Sequence, residues 1–290
     1  MESGTTKDKV LALLMAHEGE WVSGAAAADE LGLTRNAVWK AIGSLREEGC
    51  GIEAVTNRGY RLSGQADLLS GERIASLLRT KGGAPGEAET DGFPGADRIH
   101  IYTSLASTNR TAKEMAIAGA PHGTVVIADM QTGGSGHHAR RFYSPRGGIY
   151  MSVILLPGAF PHTDTETVTA CAAVSVCRAI ETECGLHPGI RPVNDLFIEG
   201  KKVCGILTES MTDCESCETQ WIVTGIGINL SLREEQIPEE LRGIAGSLYP
   251  DGMPPVTRNR LIASVLRELL GKSAASERDE ILAAYRERKL

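Results

Sequence analysis

Apolar positions in the first sixty residues recur at helical spacing and then switch to alternation. Val10, Leu11, Leu13 and Leu14 mark one helical face, closed by Gly19. Ser23 is placed to cap a second helix from Ala25 to Leu31, and Gly32 is placed to end it in the left-handed conformation glycine adopts cheaply. Thr34 caps a third helix with Val38, Ile42 and Leu45 on its buried face. Beyond Gly49, Ile52 and Val55, then Tyr60 and Leu62, alternate about Asn57-Arg58-Gly59, the pattern of a β-hairpin. Three short helices followed by a hairpin predict a winged helix-turn-helix.

A link at 63–70 and an amphipathic helix near 72–78 follow, then a stretch rich in Gly, Pro and acidic residues, 80–97, expected to be a surface loop. From residue 99 the pattern predicts strands at 99–103, 123–129, 148–155, 189–198, 202–210 and 219–229, with helices at 107–118, 165–184 and 256–271. Strands outnumber helices, and some neighbours are hairpin-spaced, as at Glu199-Gly200-Lys201. This predicts an α+β mixed sheet with helices on one face rather than a doubly wound parallel sheet. The expected division is 1–64, a winged helix-turn-helix domain; 65–98, a linker helix and variable loop; and 99–290, the mixed-sheet domain.

Composition changes little in this picture. An apolar content of 42% and a charged content of 23% are those of an ordinary globular chain, and 290 residues suffice for one large and one small core. The sequence has no signal-like start and no apolar run long enough to span a bilayer, so a cytoplasmic protein is expected. Its seven cysteines are scattered, which argues against a disulfide framework; Cys214-Glu-Ser-Cys217 reads as a hairpin turn more readily than as half a zinc site. The net charge of −7 does not suggest a nucleic-acid binder, but the third helix presents Arg35, Asn36, Trp39 and Lys40, and the hairpin carries Arg58 and Arg61. Those groups suit base edges and phosphates, which favours DNA over the alternative of a protein-interaction module.

Polar segments that interrupt the apolar strands are the candidates for chemistry. Ser107-Thr108-Asn109 stands at a helix start, where it either caps the helix or holds a small polar ligand. Gly133, Gly134 and Gly136, followed by His137, His138, Arg140 and Arg141, form a loop that either cradles a phosphate through positive φ and converging amides or merely turns a corner. Arg191, Asn194 and Asp195 lie within a predicted strand, ahead of Lys201-Lys202; Asp195 has the chemistry to bind Mg²⁺ held by a triphosphate. Gly225 and Gly227 thin another strand that ends at Asn229.

In this order the segments resemble the bifunctional biotin–protein ligase/biotin operon repressor family. The matching residues are the TRNAVWKAI helix, STN at 107–109, Gln131 with Gly134 and Gly136, SP..G.YMS at 144–152, VNDL at 193–196, GKKVCGIL.E at 200–209 and GIGIN at 225–229. The resemblance implies a mixed-sheet catalytic domain of the class II biotin-ligase type. It also implies formation of biotinyl-5′-AMP from biotin and ATP with Mg²⁺, and transfer of biotin to a lysine of an acetyl-CoA-carboxylase-type carrier domain. A homodimer that reads operator DNA when the adenylate is bound is implied as well. By the same resemblance, Ser107, Thr108, Asn109, Gln131, Ser135, Gly136, His137, Arg191 and Gly205 would hold biotin. Gly134, Arg140, Asn194, Asp195, Lys202 and Asn229 would hold ATP, and Arg191 would act in catalysis by touching both the carboxylate and the α-phosphate.

The chain departs from the family pattern in three places. The usual G-R-G-R-x-G-R-x-W reads Gly134-Ser135-Gly136-His137-His138-Ala139-Arg140-Arg141-Phe142, so Ser135 and His137 replace arginines that would grip phosphate in two parallel hydrogen bonds. Arg191-Pro192 replaces a Lys-Trp pair. The sequence ends at AYRERKL, where the family normally continues into a small C-terminal β-barrel. A working ligase/repressor is the favoured expectation; a weakened ligase kept as a biotin or adenylate sensor, or a ligase for another acyl group such as lipoate, are the alternatives.

Overall fold

In the computed structural model the chain divides into two compact units, Met1–Leu68 and Leu69–Leu290. The structure describes residues 5–17, 19–47, 51–56, 58–62, 67–79, 93–136, 140–252, 254–271 and 278–290. His137, His138, Asn57, Cys50 and most of the 80–97 stretch therefore lie outside the described residues.

The first unit contains α1 (Thr6–Ala16), α2 (Gly24–Leu31), α3 (Arg35–Glu47) and an antiparallel hairpin of β1 (Ile52–Val55) and β2 (Gly59–Leu62). The punctuation acts as the sequence predicts. Ser23 Oγ accepts from the Ala26 amide at 3.0 Å, Gly32 takes φ 63°, and Thr34 Oγ1 accepts from the Ala37 amide at 3.2 Å. Val10, Leu14, Val38, Ile42 and Leu45 are buried together with Ile52 and Leu62 from the hairpin. Val22 and Tyr60 exchange backbone hydrogen bonds, both at 2.8 Å, which ties the hairpin to the segment before α2. Gly59 is required there, because its φ is +100° and a Cβ would lie 2.2 Å from the Val22 carbonyl oxygen.

In the second unit, among the described residues, seven strands form one sheet: β3 (Ile99–Tyr102), β4 (Val125–Ala128), β5 (Ile149–Leu155), β6 (Gly189–Arg191), β7 (Asp195–Ile198), β8 (Lys201–Thr212) and β9 (Thr219–Ile228). Their order is β3-β4-β5-β9-β8-β7-β6, parallel between β3 and β4 and antiparallel elsewhere. The helices are α4 (Gly71–Arg79), α5 (Thr108–Ile117), α6 (Thr165–Cys184), α7 (Arg258–Leu270) and α8 (Arg278–Glu287).

Strand period two decides what each face meets. Ile149, Met151, Val153 and Leu155 of β5, with Ile222, Ile226 and Ile228 of β9, face a core completed by α4, α6 and α7. The alternate residues Val126, Ile154 and Val223 face the other way and pack with Ala112 and Ala116 of α5 and with Trp221. The expectation of helices on a single face is thus corrected, since α5 covers the opposite face. Helix α4, which the sequence reading puts in a linker, contributes Ile74, Ala75 and Leu78 to the main core. Burying Ile74 and Leu78 contributes roughly 1.5–3 kcal/mol each.

The strand expected at 189–198 is two strands. Arg191 pairs with Asp195 across a tight turn of Pro192, Val193 and Asn194. Pro192 has no amide to donate to a ladder, so the chain reverses where the pattern alone ran on. Helix α8 was not predicted; Tyr285 on it donates its hydroxyl to the Val193 carbonyl at 2.7 Å and so holds that turn. Among the described residues, no helix is long and apolar enough to cross a membrane.

Candidate functional site

The α5 side of the sheet carries a cavity of about 390 Å³. Its floor is bare backbone, because Gly225 and Gly227 alternate along β9 and Gly205 pairs with Gly227 from β8. A Cβ at Gly225 would lie 2.0 Å from Asn109 Oδ1, and one at Gly227 would lie 2.6 Å from the Phe142 ring. The Phe142 ring lies over this floor and meets Tyr150 edge-on at a centroid separation of 6.4 Å.

At one end the cavity is lined by Ser107, Thr108, Asn109 and Gln131. Ser107 is the N-cap of α5, so the capping reading holds for it, while Thr108 and Asn109 turn buried side chains toward the sheet. Asn109 Nδ2 donates to the Leu207 carbonyl at 3.1 Å and to Glu209 Oε2 at 2.9 Å, which leaves Oδ1 facing Ser152 Oγ at 2.6 Å. Gln131 Oε1 accepts from the Thr108 amide at 2.8 Å and from Thr108 Oγ1 at 3.1 Å, and its Nε2 donates to Ser144 Oγ at 3.0 Å. Ser152 Oγ and Thr108 Oγ1 are 2.8 Å apart.

Counting hydrogens along this row is informative. Asn109 Oδ1, Ser152 Oγ, Thr108 Oγ1 and Gln131 Oε1 make three successive oxygen–oxygen contacts, but only Ser152 and Thr108 carry a hydroxyl hydrogen. Whichever way those hydroxyls turn, one contact lacks a hydrogen. The inner end of the cavity is therefore rich in acceptors and short of donors, which suits a ligand head bearing N–H groups.

The other end is cationic. Lys202 Nζ lies 2.6 Å from Asp195 Oδ1 and 5.7 Å from the Phe142 ring centroid, and Arg140 and Arg141 line the same wall. Asn194 also lines it, with Nδ2 donating to the Ile206 carbonyl. From Ser152 across the floor to Asp195 the sheet spacing amounts to about 15 Å.

The glycine loop turns a corner and does not build an anion nest from these amides. Gln131 bridges to Ser144 and Ser135 to Arg141, so the two sides of the loop pair with each other. The amides of Gly133, Gly136 and Phe142 donate to Ala106, Arg140 and Gly134 carbonyls at 2.8, 2.7 and 2.9 Å. Positive φ is absent at Gly133, Gly134 and Gly136. Gly134 is needed instead for close approach, since a Cβ would meet the Phe142 carbonyl oxygen at 2.5 Å.

Several expected residues sit elsewhere. Arg191 does not line the cavity; its guanidinium lies 3.9 Å from the Phe197 ring centroid, a cation–π stack. Asn229 is buried behind the floor, where Nδ2 donates to the Gly246 carbonyl at 2.8 Å and Oδ1 has no hydrogen-bond partner. Gly134 shapes the hairpin without lining the cavity, whereas Ser135, Gly136 and Gly205 do line it. Phe142, Ser152 and Glu209 belong to the site's fabric and were missed as site residues; a hydroxyl and a carboxylate on the α5-facing register of β5 and β8 were the available signal. Asp195 is a single carboxylate already paired with Lys202, and no group of three metal-ligating side chains occurs among the described residues. These residues do not make a resident magnesium centre.

In the first unit, Arg35, Asn36, Trp39 and Lys40 are all exposed on α3, Trp39 by 63%. Arg58 and Arg61 lie 5.3 and 4.8 Å from the Trp21 ring centroid, and Arg61 also pairs with Glu53 at 2.6 Å. The β8–β9 connection with Cys214 and Cys217 is a turn organised by Asp213, whose Oδ1 accepts from the Glu215 and Ser216 amides at 3.0 and 2.8 Å.

The fold and site define a two-unit protein in which a winged helix-turn-helix is followed in the chain by a mixed sheet with a glycine-floored cavity. Residues 102–229 match the biotin/lipoate A/B protein ligase family, and residues 6–61 match a helix-turn-helix domain family. The bifunctional ligase/repressor BirA of Bacillus subtilis is 38% identical over 267 residues, covering 92% of this chain and 77% of that protein. The Escherichia coli protein of the same name is 28% identical over 272 residues, 93% of this chain and 77% of its own. Among solved structures, the Aquifex aeolicus biotin protein ligase in complex with biotin and ATP superposes with a TM-score of 0.56 at 26% identity, covering 66% of this chain and 78% of that one. The chain belongs to the bifunctional biotin ligase/repressor family.

Proposed function

We propose that this protein joins biotin to AMP, transfers the biotinyl group to a lysine of an acetyl-CoA-carboxylase-type carrier domain, and represses transcription when the adenylate is bound. The observation that carries this reading is the polarity of the cavity, a donor-starved row of oxygens at one end and Lys202, Arg140 and Arg141 at the other. A ureido head supplies N–H donors to the row, and an acyl chain across the glycine floor delivers a carboxylate to the cationic end. Lipoate has no N–H in its ring and would leave the row short, which favours biotin. A volume of about 390 Å³ is within the ordinary range for small-molecule sites.

In the first step a carboxylate oxygen of biotin bonds to the α-phosphorus of ATP and the bond to pyrophosphate breaks. In the second, the carrier amine bonds to the acyl carbon, AMP leaves and the amine loses a proton. Positioning and charge neutralisation carry most of the rate in such a displacement. Ser107, Thr108, Asn109, Gln131, Ser135, Gly136, His137 and Gly205 are assigned to biotin. Gly134, Arg140, Asn194, Asp195, Lys202 and Asn229 are assigned to the nucleotide, whose own phosphates bring Mg²⁺. Arg191 is on the same face as Asp195 by register and joins the site by turning off Phe197. On the DNA side, Arg35, Asn36, Trp39, Lys40 and Arg58 read a two-fold operator as part of a homodimer in the cytoplasm.

The test is pyrophosphate release dependent on both biotin and ATP, with labelling of a carrier domain. Absence of both would leave the sensor alternative, which the stacking of Arg191 away from the cavity favours. Operator binding then separates the two, because a ligase/repressor needs biotin with ATP and a sensor needs biotin alone.

A further inference from the structure

The donor–acceptor polarity of the inner cavity depends on which way the Asn109 amide faces. A primary amide has nearly the same shape either way round, so its orientation is decided by its partners. The Leu207 carbonyl and the Glu209 carboxylate, both acceptors, take the two Nδ2 hydrogens at 3.1 and 2.9 Å. Oδ1 is thereby turned over Gly225, into the cavity, and toward Ser152.

Glu209 is itself held from the far side. Lys113 Nζ donates to its Oε1 at 2.8 Å, and both side chains are about one-third exposed. Burial pushes the Glu209 carboxyl up, but hydrogen bonds from Lys113 and Asn109 and the Lys113 charge outweigh it and hold it below the usual carboxylate range. Its two oxygens have separate tasks, one answering a cation and one answering an amide.

We propose that Glu209 is a positioning residue for ligand selection: it fixes the Asn109 amide so that the cavity presents an acceptor, and so sets the preference for a head group with N–H donors. This rests on the biotin reading above. A chain in which Asn109 faced the other way would present an Nδ2 donor and reject a ureido N–H.

The test uses two substitutions in the full-length protein. In Glu209→Gln, Lys113 demands the new amide oxygen, so the glutamine NH₂ faces Asn109 Nδ2 and the asparagine can no longer hold its orientation. We expect the Kd and KM for biotin to rise tenfold or more, with the KM for ATP unchanged and kcat within about threefold. Adding Lys113→Met frees the glutamine to turn its oxygen back to Asn109, and biotin affinity is expected to recover to within about threefold of wild type. A purely structural role for the ion pair predicts that the double variant binds no better than the single one, which overturns the proposal. Wild-type biotin affinity in Glu209→Gln overturns it equally. Failure of the wild-type protein to bind biotin is a different result and refutes the underlying reading instead.

Discussion

Gly225 gives the most demanding test of the site's construction. Alanine there places a Cβ 2.0 Å from Asn109 Oδ1 and 2.8 Å from its Cγ, so Oδ1 must retreat by about 1.4 Å to reach ordinary contact. Asn109 has no slack to absorb that movement. Its three side-chain contacts run from 2.6 to 3.1 Å, and a shift of this size stretches or breaks them together. Two are hydrogen bonds between neutral groups, at about 1 kcal/mol each; the one to Glu209 is charge-assisted, at about 1.5–3 kcal/mol. The alanine returns about 0.5–1 kcal/mol through a less flexible unfolded chain. The net expectation is a loss of about 3 kcal/mol in the second unit, with biotin binding abolished. Urea denaturation followed by Trp221 emission, in a background with Trp21 and Trp39 changed to Phe, isolates that unit, because those two lie in the first one. A shift under 1 kcal/mol with biotin affinity retained would refute the packing of Asn109 on the glycine floor.

The other predictions are briefer. Lys202→Met is expected to slow biotin-dependent pyrophosphate release about a hundredfold while leaving biotin's Kd within a factor of three, as measured by single-turnover kinetics and calorimetry. Arg58→Ala should weaken operator binding and reduce the slope of log K against log salt by about one, whereas Trp39→Ala should weaken specific binding without changing that slope. Gly59→Ala should melt the first unit alone, because the new Cβ meets the Val22 carbonyl, and leave biotin affinity intact. His122 gives a pH test. Burial and then Arg98 lower its pKa, and its Nδ1 accepts from the Leu156 amide at 3.2 Å, so the folded state favours the neutral ring. Its contribution is present above the unfolded value near 6.5 and is lost as pH falls from there through the folded value. Denaturation midpoints between pH 7 and 5 should accordingly fall more steeply in wild type than in His122→Asn, which keeps an acceptor and does not titrate.

Local residues carried much of this protein's design. Ser23, Gly32 and Thr34 mark the helices of the first unit because a cap or a left-handed residue acts within a few positions of itself. Helix α6, expected at 165–184, runs over Thr165–Cys184, since Asp164 and Gly185 bracket it chemically. The polar segments of the site were legible for a related reason: a hydroxyl, amide or carboxylate set among apolar strands is costly without a purpose. Glycines at 205, 225 and 227 were visible too, although not that two of them pair across β8 and β9.

Partnership across the sheet was beyond local reading. Arg191 and Asp195 read alike in the sequence, yet a turn at Pro192 sends one to stack on Phe197 and the other to Lys202. The loop at 133–136 read equally as a phosphate cradle or a plain turn, and its amides, donating to the Ala106 and Arg140 carbonyls, decide for the turn. Which way Asn109 faces depends on Glu209, a hundred positions away along the chain. The sequence by itself determined most of the elements and the types of side chain offered for chemistry, because these follow from spacing and from each residue's own propensities. Only the tertiary structure decided which of those side chains remain available to a ligand, because a hydrogen-bonding group is spent or free according to its neighbours in space.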